Sequence, residues 1–422
     1  MLKGNALIAQ SGGPTAVINS SVCGAVQTWL NLSEQPGTIY AAVSGIKGFL
    51  NEDLIDMAAQ DPAVIDALKW TPGAGLFSCR YKVSEAEYSR LVEICRKYDI
   101  RYFFYNGGND SMDTCNKMSI AAEKLGYEMR VIGIPKTVDN DLPITDHCPG
   151  YASAAKYLAA TVMECGIDLA SVATKNKVCI IEAMGRNAGW LTAAAALAKR
   201  YEVAADGTVH LPANTADDAP HLIYLPEVPF DTERFLQDVQ NVYDRLGYCF
   251  VVASEGIMDK DGNYIAADGK VDAFGHVQLS GAGETLKNLV EERLGLKARC
   301  NTLGTAQRSA AHFASKTDAD EAYATGKQAV ELALSGKTGV MVTLDRQPGE
   351  PYVCTLGEAP LANVANVEKK VPREWINETG NFVTEDFIRY AQPLIAGTLP
   401  VPMQNGLPCY TKIDATLGRV KK

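Results

Sequence analysis

The sequence contains no apolar run near the ~18 residues that a membrane-spanning helix requires. Its first 30 residues also lack the basic and apolar regions of a secretory signal. Both absences predict a soluble, cytoplasmic chain with no membrane partner. Positive charge is not in excess: 40 Lys and Arg stand against 50 Asp and Glu, for a net charge of -10, which argues against nucleic acid as a partner. Eleven cysteines are present, an odd number with no C-x-x-C pair among them. Reduced thiols used as small core residues fit that pattern better than disulfides or a zinc site. Neither a Walker lysine nor the dinucleotide-binding glycine fingerprint is found, and no short repeat or low-complexity segment interrupts the chain. What is there is an ordinary globular composition, 47% hydrophobic over 422 residues, long enough for two or three domains.

Short apolar runs alternate with segments of helical spacing. Residues 5–9, 38–43, 100–105, 129–134, 176–183, 222–225 and 249–253 read as strands. Between them, 16–30 reads as a helix, Ser84-x-x-Glu87 opens another through a capping box, and a third begins near Met112. Trp190 opens a small-residue helix to Lys199, Asp231 or Thr232 caps one that Gly247 stops, and 318–334 is the last. Alternation of this kind predicts a doubly wound parallel sheet in at least two domains.

In such sheets chemistry gathers in the loops at the carboxyl ends of strands, and here those loops carry the informative residues. Gly12 and Gly13 follow the first strand, and Gly107 and Gly108 follow the run 100–105. Glycines at a strand-to-helix turn let backbone amides approach a phosphate, with the helix amino terminus adding favourable partial charge, although tight turns need glycine as well. Asn109, Asp110 and Ser111 come next and suit helix capping. Capping does not explain a carboxylate where a phosphate is expected: two anions at ~4 Å and an effective dielectric of ~20 repel by roughly 4 kcal/mol. Asp110 is therefore suited to excluding a ligand. A glycine-rich turn leads to Arg80, a candidate anion contact that also reads as a solvated surface group. The densest loop, after the strand at 129–134, holds Lys136, Thr137, Asp139, Asp141 and Asp146. A cation beside carboxylates suits a base that deprotonates a hydroxyl while the lysine meets an anionic donor; a polar surface turn is the plainer alternative.

These loops, in their order, resemble the phosphofructokinase family from about residue 4 to about 340. The matching pieces are Gly12-Gly13, residues 73–80, Gly107-Gly108-Asn109-Asp110-Ser111, residues 135–141, Met184-Gly185-Arg186, Ser254-Glu255-Gly256 and residues 299–308. The resemblance implies phosphoryl transfer, in glycolysis, to the 1-hydroxyl of fructose 6-phosphate. Asp139 would be the base, with Thr137 and Asp141 flanking it. Gly12, Gly13, Gly107, Gly108 and Ser111 would hold the donor. Met184, Gly185 and Arg186 would contact the sugar phosphate, Glu255 its hydroxyls, and Arg299 and Arg308 its 6-phosphate. Arg80 joins the substrate contacts. Lys177 stands where the family usually has an arginine that crosses from a neighbouring subunit, so a homodimer or homotetramer is expected. Thr305 replaces a histidine familiar in the short ATP enzymes. Asn109 stands where an aspartate commonly helps hold Mg²⁺, so the ion is expected at Asn109, Asp139 and Asp141, mainly through the two aspartates and the donor's oxygens.

Two positions decide the donor. Family members that use ATP generally have glycine in place of both Asp110 and Lys136, whereas those that use pyrophosphate resemble this chain. Pyrophosphate is therefore the expected donor, with Asp110 blocking a nucleotide and Lys136 neutralising the transferred group. An ATP-dependent enzyme is the alternative, and a silent sugar-phosphate-binding subunit a further one. The expected architecture is two Rossmann-like doubly wound parallel-sheet domains: 1–150 plus about 307–350 for the donor and 151–306 for the sugar phosphate, followed by a C-terminal extension over 351–422.

Overall fold

The residue pattern of the run at 100–107 sets the first sheet. Phe103 and Tyr105 point into one apolar layer and Tyr102 and Phe104 into the other, so this strand needs cover on both faces, as a central parallel strand does. The computed structural model describes residues 2–271, 277–279 and 281–420. In chain order its principal strands are β1 (Asn5–Gln10), β2 (Ile39–Ala42), β3 (Leu54–Asp56), β4 (Ile100–Gly107), β5 (Arg130–Pro135), β6 (Val178–Ala183), β7 (Leu222–Tyr224), β8 (Cys249–Ser254), β9 (Ala298–Thr302), β10 (Val340–Arg346) and β11 (Cys354–Pro360). They form two sheets, ordered β11-β10-β5-β4-β1-β2-β3 and β9-β6-β8-β7. The second is parallel throughout. In the first, only the edge strands β3 and β11 run antiparallel. The two-sheet α/β architecture is thus the one expected, with mixed edges on the larger sheet.

Four helices matter for the site: α1 (Ile18–Leu30), α2 (Asn109–Lys124), α3 (Tyr151–Ser171) and α4 (Lys316–Leu334). α1 and α4 meet backbone to backbone because each offers a glycine. A Cβ on Gly24 would lie 2.1 Å from the Tyr323 carbonyl oxygen, and one on Gly326 would lie 1.8 Å from that of Ser21. α3 is absent from the sequence reading. Its residues Tyr151 to Ala155 are all buried, so its first turn shows no polar face to betray a helical period. The helix expected over 190–199 is α-helical only for Trp190–Ala193, then tightens to a 3₁₀ helix over Ala194–Lys199.

The segment after 350 is not a separate body. β11 is an edge strand of the first sheet, and the helix Glu385–Ala391 buries Phe387, Ile388 and Tyr390 in the core of the second. No helix among the described residues is long and apolar enough to cross a membrane.

At the junction of the two sheets sits a buried ionic chain. His147 lies between Asp146 (Nδ1 to Oδ2, 2.9 Å) and Glu321 of α4 (Nε2 to Oε2, 2.7 Å). Arg346 donates to the same Asp146 oxygen and Tyr352 to Glu321. Burial opposes a charged imidazole, but the hydrogen bonds and charges of the two carboxylates outweigh it and raise the pKa from 6.5 to about 9. The folded value lies above the unfolded one, so this contribution is complete below pH 6.5 and is lost as pH rises towards about 9. It amounts to roughly 3 kcal/mol. The urea midpoint should fall across that window in the native protein and stay flat in His147→Gln; equal slopes in the two proteins would refute the assignment.

Candidate active site

The loop after β5 leaves the sheet still tied to it. The Lys136 amide donates to the Gly107 carbonyl (3.0 Å) and that of Thr137 to Pro149 (3.2 Å). Thr137 Oγ1 then accepts from the Asp139 amide at 3.1 Å. Asn140 adopts φ +53°, a left-handed turn that asparagine tolerates. Its side chain points into the protein, accepting from the Cys148 amide (2.9 Å) and donating to Tyr390 Oη (2.8 Å). With Asn140 anchored, Asp139 and Asp141 on either side line the cavity between the sheets. The loop's far end is fixed by Asp318, buried at the start of α4. Its carboxylate accepts from the amides of Gly150 (2.8 Å) and Ser153 (2.9 Å) at the head of α3. Gly150 has φ +105°, and a Cβ there would lie 2.4 Å from Thr15 Cγ2.

The cavity measures about 760 Å³. Gly12, Gly13, Gly108, Asn109, Asp110 and Ser111 line it from the carboxyl ends of β1 and β4, and Lys136, Thr137, Asp139 and Asp141 from β5. The second sheet contributes Met184 and Arg186 after β6, Glu255 after β8 and Arg308 after β9; Arg80 completes the set of expected residues found there. Gly107 and Gly185 stand behind this wall. Ser111 packs on Gly107, where a Cβ would lie 2.0 Å from its Oγ, and the Gly185 amide donates to Glu255 Oε1 at 3.3 Å. Lys177 and Arg299 are not brought to the cavity. Lys177 precedes β6, at the opposite end of the strand from Met184, with its ammonium 5.7 Å from the Tyr243 ring. Arg299 pairs with Cys179 in the β-ladder and reaches Asp168 at 3.5 Å.

Charge is concentrated and poorly solvated here. Lys136 is buried, and its Nζ donates to the Gly13 carbonyl at 2.8 Å. Burial lowers its pKa to about 8 against the opposing charge of Asp139, with Arg308 adding to the fall. Burial raises Asp139, while Lys136, Arg186 and Arg308 pull it back down. Asp141 is pushed up to about 7, first by burial and then by Asp139 and Glu368. Glu255 rises to about 7, chiefly through burial. Asp141 Oδ1, Arg186 Nε and Arg308 Nε are buried without a hydrogen-bond partner. Unmatched charges of both signs around a polar cavity are the arrangement expected of a site that receives an anion and a cation.

Six lining residues escaped the sequence reading: Ser11, Val138, Asn187, Ala188, Asn366 and Glu368. Four are neighbours of recognised motif residues. Asn366 and Glu368 come from the C-terminal segment, to which the sequence assigned no site residue. Asn109, expected at the metal, has its amide engaged elsewhere. It donates to the Val367 carbonyl (2.5 Å) and accepts from the Asn366 amide (2.7 Å).

Two α/β sheets facing a cavity of glycine turns, arginines and a lysine–carboxylate loop define a protein built for phosphorylated ligands. The phosphofructokinase family model matches residues 5–333. The pyrophosphate–fructose 6-phosphate 1-phosphotransferase of Halomonas elongata is 46% identical over 419 residues, 98% of this chain and 97% of the relative. The enzyme of the same name from Methylococcus capsulatus is 46% identical over 417 residues, 97% and 96% of the two chains. A crystal structure of a pyrophosphate-dependent phosphofructokinase from Marinobacter aquaeolei matches with TM-score 0.88 and 44% identity, covering 99% of this chain and 98% of that one. The chain belongs to the phosphofructokinase family.

Arg308 overlies Gly13 so closely that a Cβ there would lie 2.4 Å from its Nη1. Gly13→Ala should push the guanidinium aside and weaken binding of a sugar phosphate by about tenfold or more, read by calorimetry, with the circular dichroism spectrum unchanged. Undiminished affinity would show that the contact does not matter.

Proposed function

We propose that this enzyme transfers a phosphoryl group from pyrophosphate to the 1-hydroxyl of fructose 6-phosphate, reversibly, giving fructose 1,6-bisphosphate and phosphate. One observation carries the choice of donor: the Asp110 carboxylate lines the same cavity as the buried Lys136 and the Asp139 loop. A nucleotide would bring its α-phosphate against that carboxylate, whereas pyrophosphate has no such group. Asp110 sits in the first turn of α2.

In this reading Asp139 takes the proton of the 1-hydroxyl as the oxygen bonds to phosphorus and the bridging oxygen of pyrophosphate departs with its phosphate. Lys136, Arg186 and Arg308 offset part of the rise that burial causes in the Asp139 pKa. Lys136, held by Gly13, neutralises charge on the transferred group. Arg308 and Arg186 meet the sugar phosphate, and Glu255 the sugar hydroxyls. Gly12, Gly108 and Ser111 receive the donor.

The residues present fit a Mg²⁺ ion. Asp141 Oδ1 is buried without a partner, and Asp139 lies beside it in the loop. Among the described residues no group of three or more acids, histidines or cysteines is arranged to hold a metal, and Mg²⁺ commonly takes one or two carboxylates plus substrate phosphates and water. Asp139 and Asp141 would hold it, and when bound it would offset the charge of the diphosphate. The distance of Lys177 and Arg299 from the cavity supports a homo-oligomer in which a second copy presents them to this site. A cytoplasmic location agrees with the reaction.

A side-by-side donor assay tests the reading. Pyrophosphate should support turnover and ATP should not, and Asp110→Gly should gain measurable ATP use. ATP supporting the native enzyme while pyrophosphate does not would refute the assignment.

Because Lys136 must be an ammonium to meet the phosphoryl group, and burial brings its pKa to about 8, activity is present below that value and is lost as pH rises through it. The kcat/KM profile, which reports the free enzyme, should therefore show a basic limb near pH 8 that Lys136→Arg moves upward out of range. A limb that stays in place in Lys136→Arg would belong to another group.

A further inference from the structure

The segment 366–371 has no assigned part in the reaction, yet it crosses the cavity from one sheet to the other. On the donor side, Asn366 meets Asn109 through its amide and Asp113 through its side chain (3.0 Å). On the sugar side, Asn187 Nδ2 donates to Glu368 Oε1 (2.8 Å), Trp190 Nε1 to the Lys369 carbonyl (2.9 Å), and the Val371 amide to Glu227 Oε1 (3.0 Å). Between these ends, the Lys369 amide donates to the Asp141 carbonyl (2.7 Å), and Lys369 Nζ to the carbonyls of Thr145 and Asp146 (3.0 and 2.8 Å). The strap is thus tied to both walls and to the loop that carries Asp139, and it places Glu368 in the cavity lining.

Its fastening on the donor side is the Asn109 amide, which donates to one backbone carbonyl and accepts from the amide one residue earlier. Only a group with both a donor and an acceptor can do this. An aspartate in its place would still accept from the Asn366 amide but would set a carboxylate oxygen against the Val367 carbonyl. We propose that Asn109 is a positioning residue, the latch that holds the 366–371 strap across the active-site cavity and keeps Glu368 in its wall. The inference rests on the cavity's being the active site. It accounts for an amide at 109, where a metal-binding role would favour a carboxylate.

The test compares Asn109→Asp and Asn109→Ala with the native enzyme in three measurements: hydrogen exchange over 364–371, Mg²⁺ titration of activity, and KM and kcat for pyrophosphate. Asn109→Ala should speed exchange at the Asn366 amide by about tenfold or more, and Asn109→Asp, which keeps that acceptor, by less. Both should lower kcat/KM, and neither should lower the Mg²⁺ concentration for half-activation. Glu368→Ala, which leaves the latch intact, should lower kcat/KM without the change in exchange at Asn366. A lower Mg²⁺ requirement in Asn109→Asp would make residue 109 a metal contact and overturn the proposal. Unchanged exchange in both Asn109 variants, or undiminished kcat/KM in Glu368→Ala, would overturn it as well. Exchange needs no substrate, so faster exchange in a protein that fails the donor assay would leave the latch standing and remove only the reading of the reaction.

Discussion

A buried ammonium and a half-buried carboxylate three residues apart set the terms for the rest of this structure. Removing Lys136 and Asp139 from water is costly for each alone, and their mutual attraction offsets that cost only while both stay in place. The fold is arranged to keep them there. Lys136 follows a strand that is buried from Val131 onward and finds the Gly13 carbonyl as its hydrogen-bond acceptor. Asp139 is presented by a turn whose next residue, Asn140, is bonded inward on both sides of its amide. The cost of burial appears in the opposed pulls on the two groups, Lys136 downward and Asp139 upward. Both shifts make proton exchange near neutral pH easier than it would be at the surface.

Close approach of backbone explains why glycine recurs around this pair. At Gly13 a side chain would collide with Arg308, and at Gly150 with Thr15. The first contact brings a cation from the second sheet over a turn of the first. The second closes the end of the Asp139 loop against the residues that lead into α1. Both join parts of the chain far apart in sequence.

Much of this was legible before the structure. Strand-to-loop junctions are marked by apolar runs ending in small residues, so Gly12, Gly108, Lys136, Arg186 and Glu255 could be placed at the carboxyl ends of strands, where the cavity lies; Arg308 was placed by the family resemblance alone. Less legible were features whose signal is either uniform or remote. α3 is buried and small-residued over its first turns, so no period stood out. The 3₁₀ stretch after Trp190 shares its composition with an α-helix. Asn109 read as a cap or a metal contact because its partners, Asn366 and Val367, lie more than 250 residues away. No local pattern could reveal an amide's remote acceptor.

The same remoteness changes what counts as the active site. The family match ends at residue 333, yet the loop carrying Asp139 is supported from beyond that point. Tyr390 accepts from Asn140 and donates to the Asp146 carbonyl. Arg346 holds the Asp146 carboxylate and the Tyr390 carbonyl, and Lys369 holds the loop's backbone at three carbonyls. Trp190 and Trp375 pack on Tyr390 at 5.3 and 5.2 Å, which leaves its hydroxyl little freedom. The lysine–aspartate loop therefore has chemistry written in the first half of the chain and geometry fixed by the last fifth. A truncation after the family match would keep every expected catalytic side chain and lose the contacts that aim them.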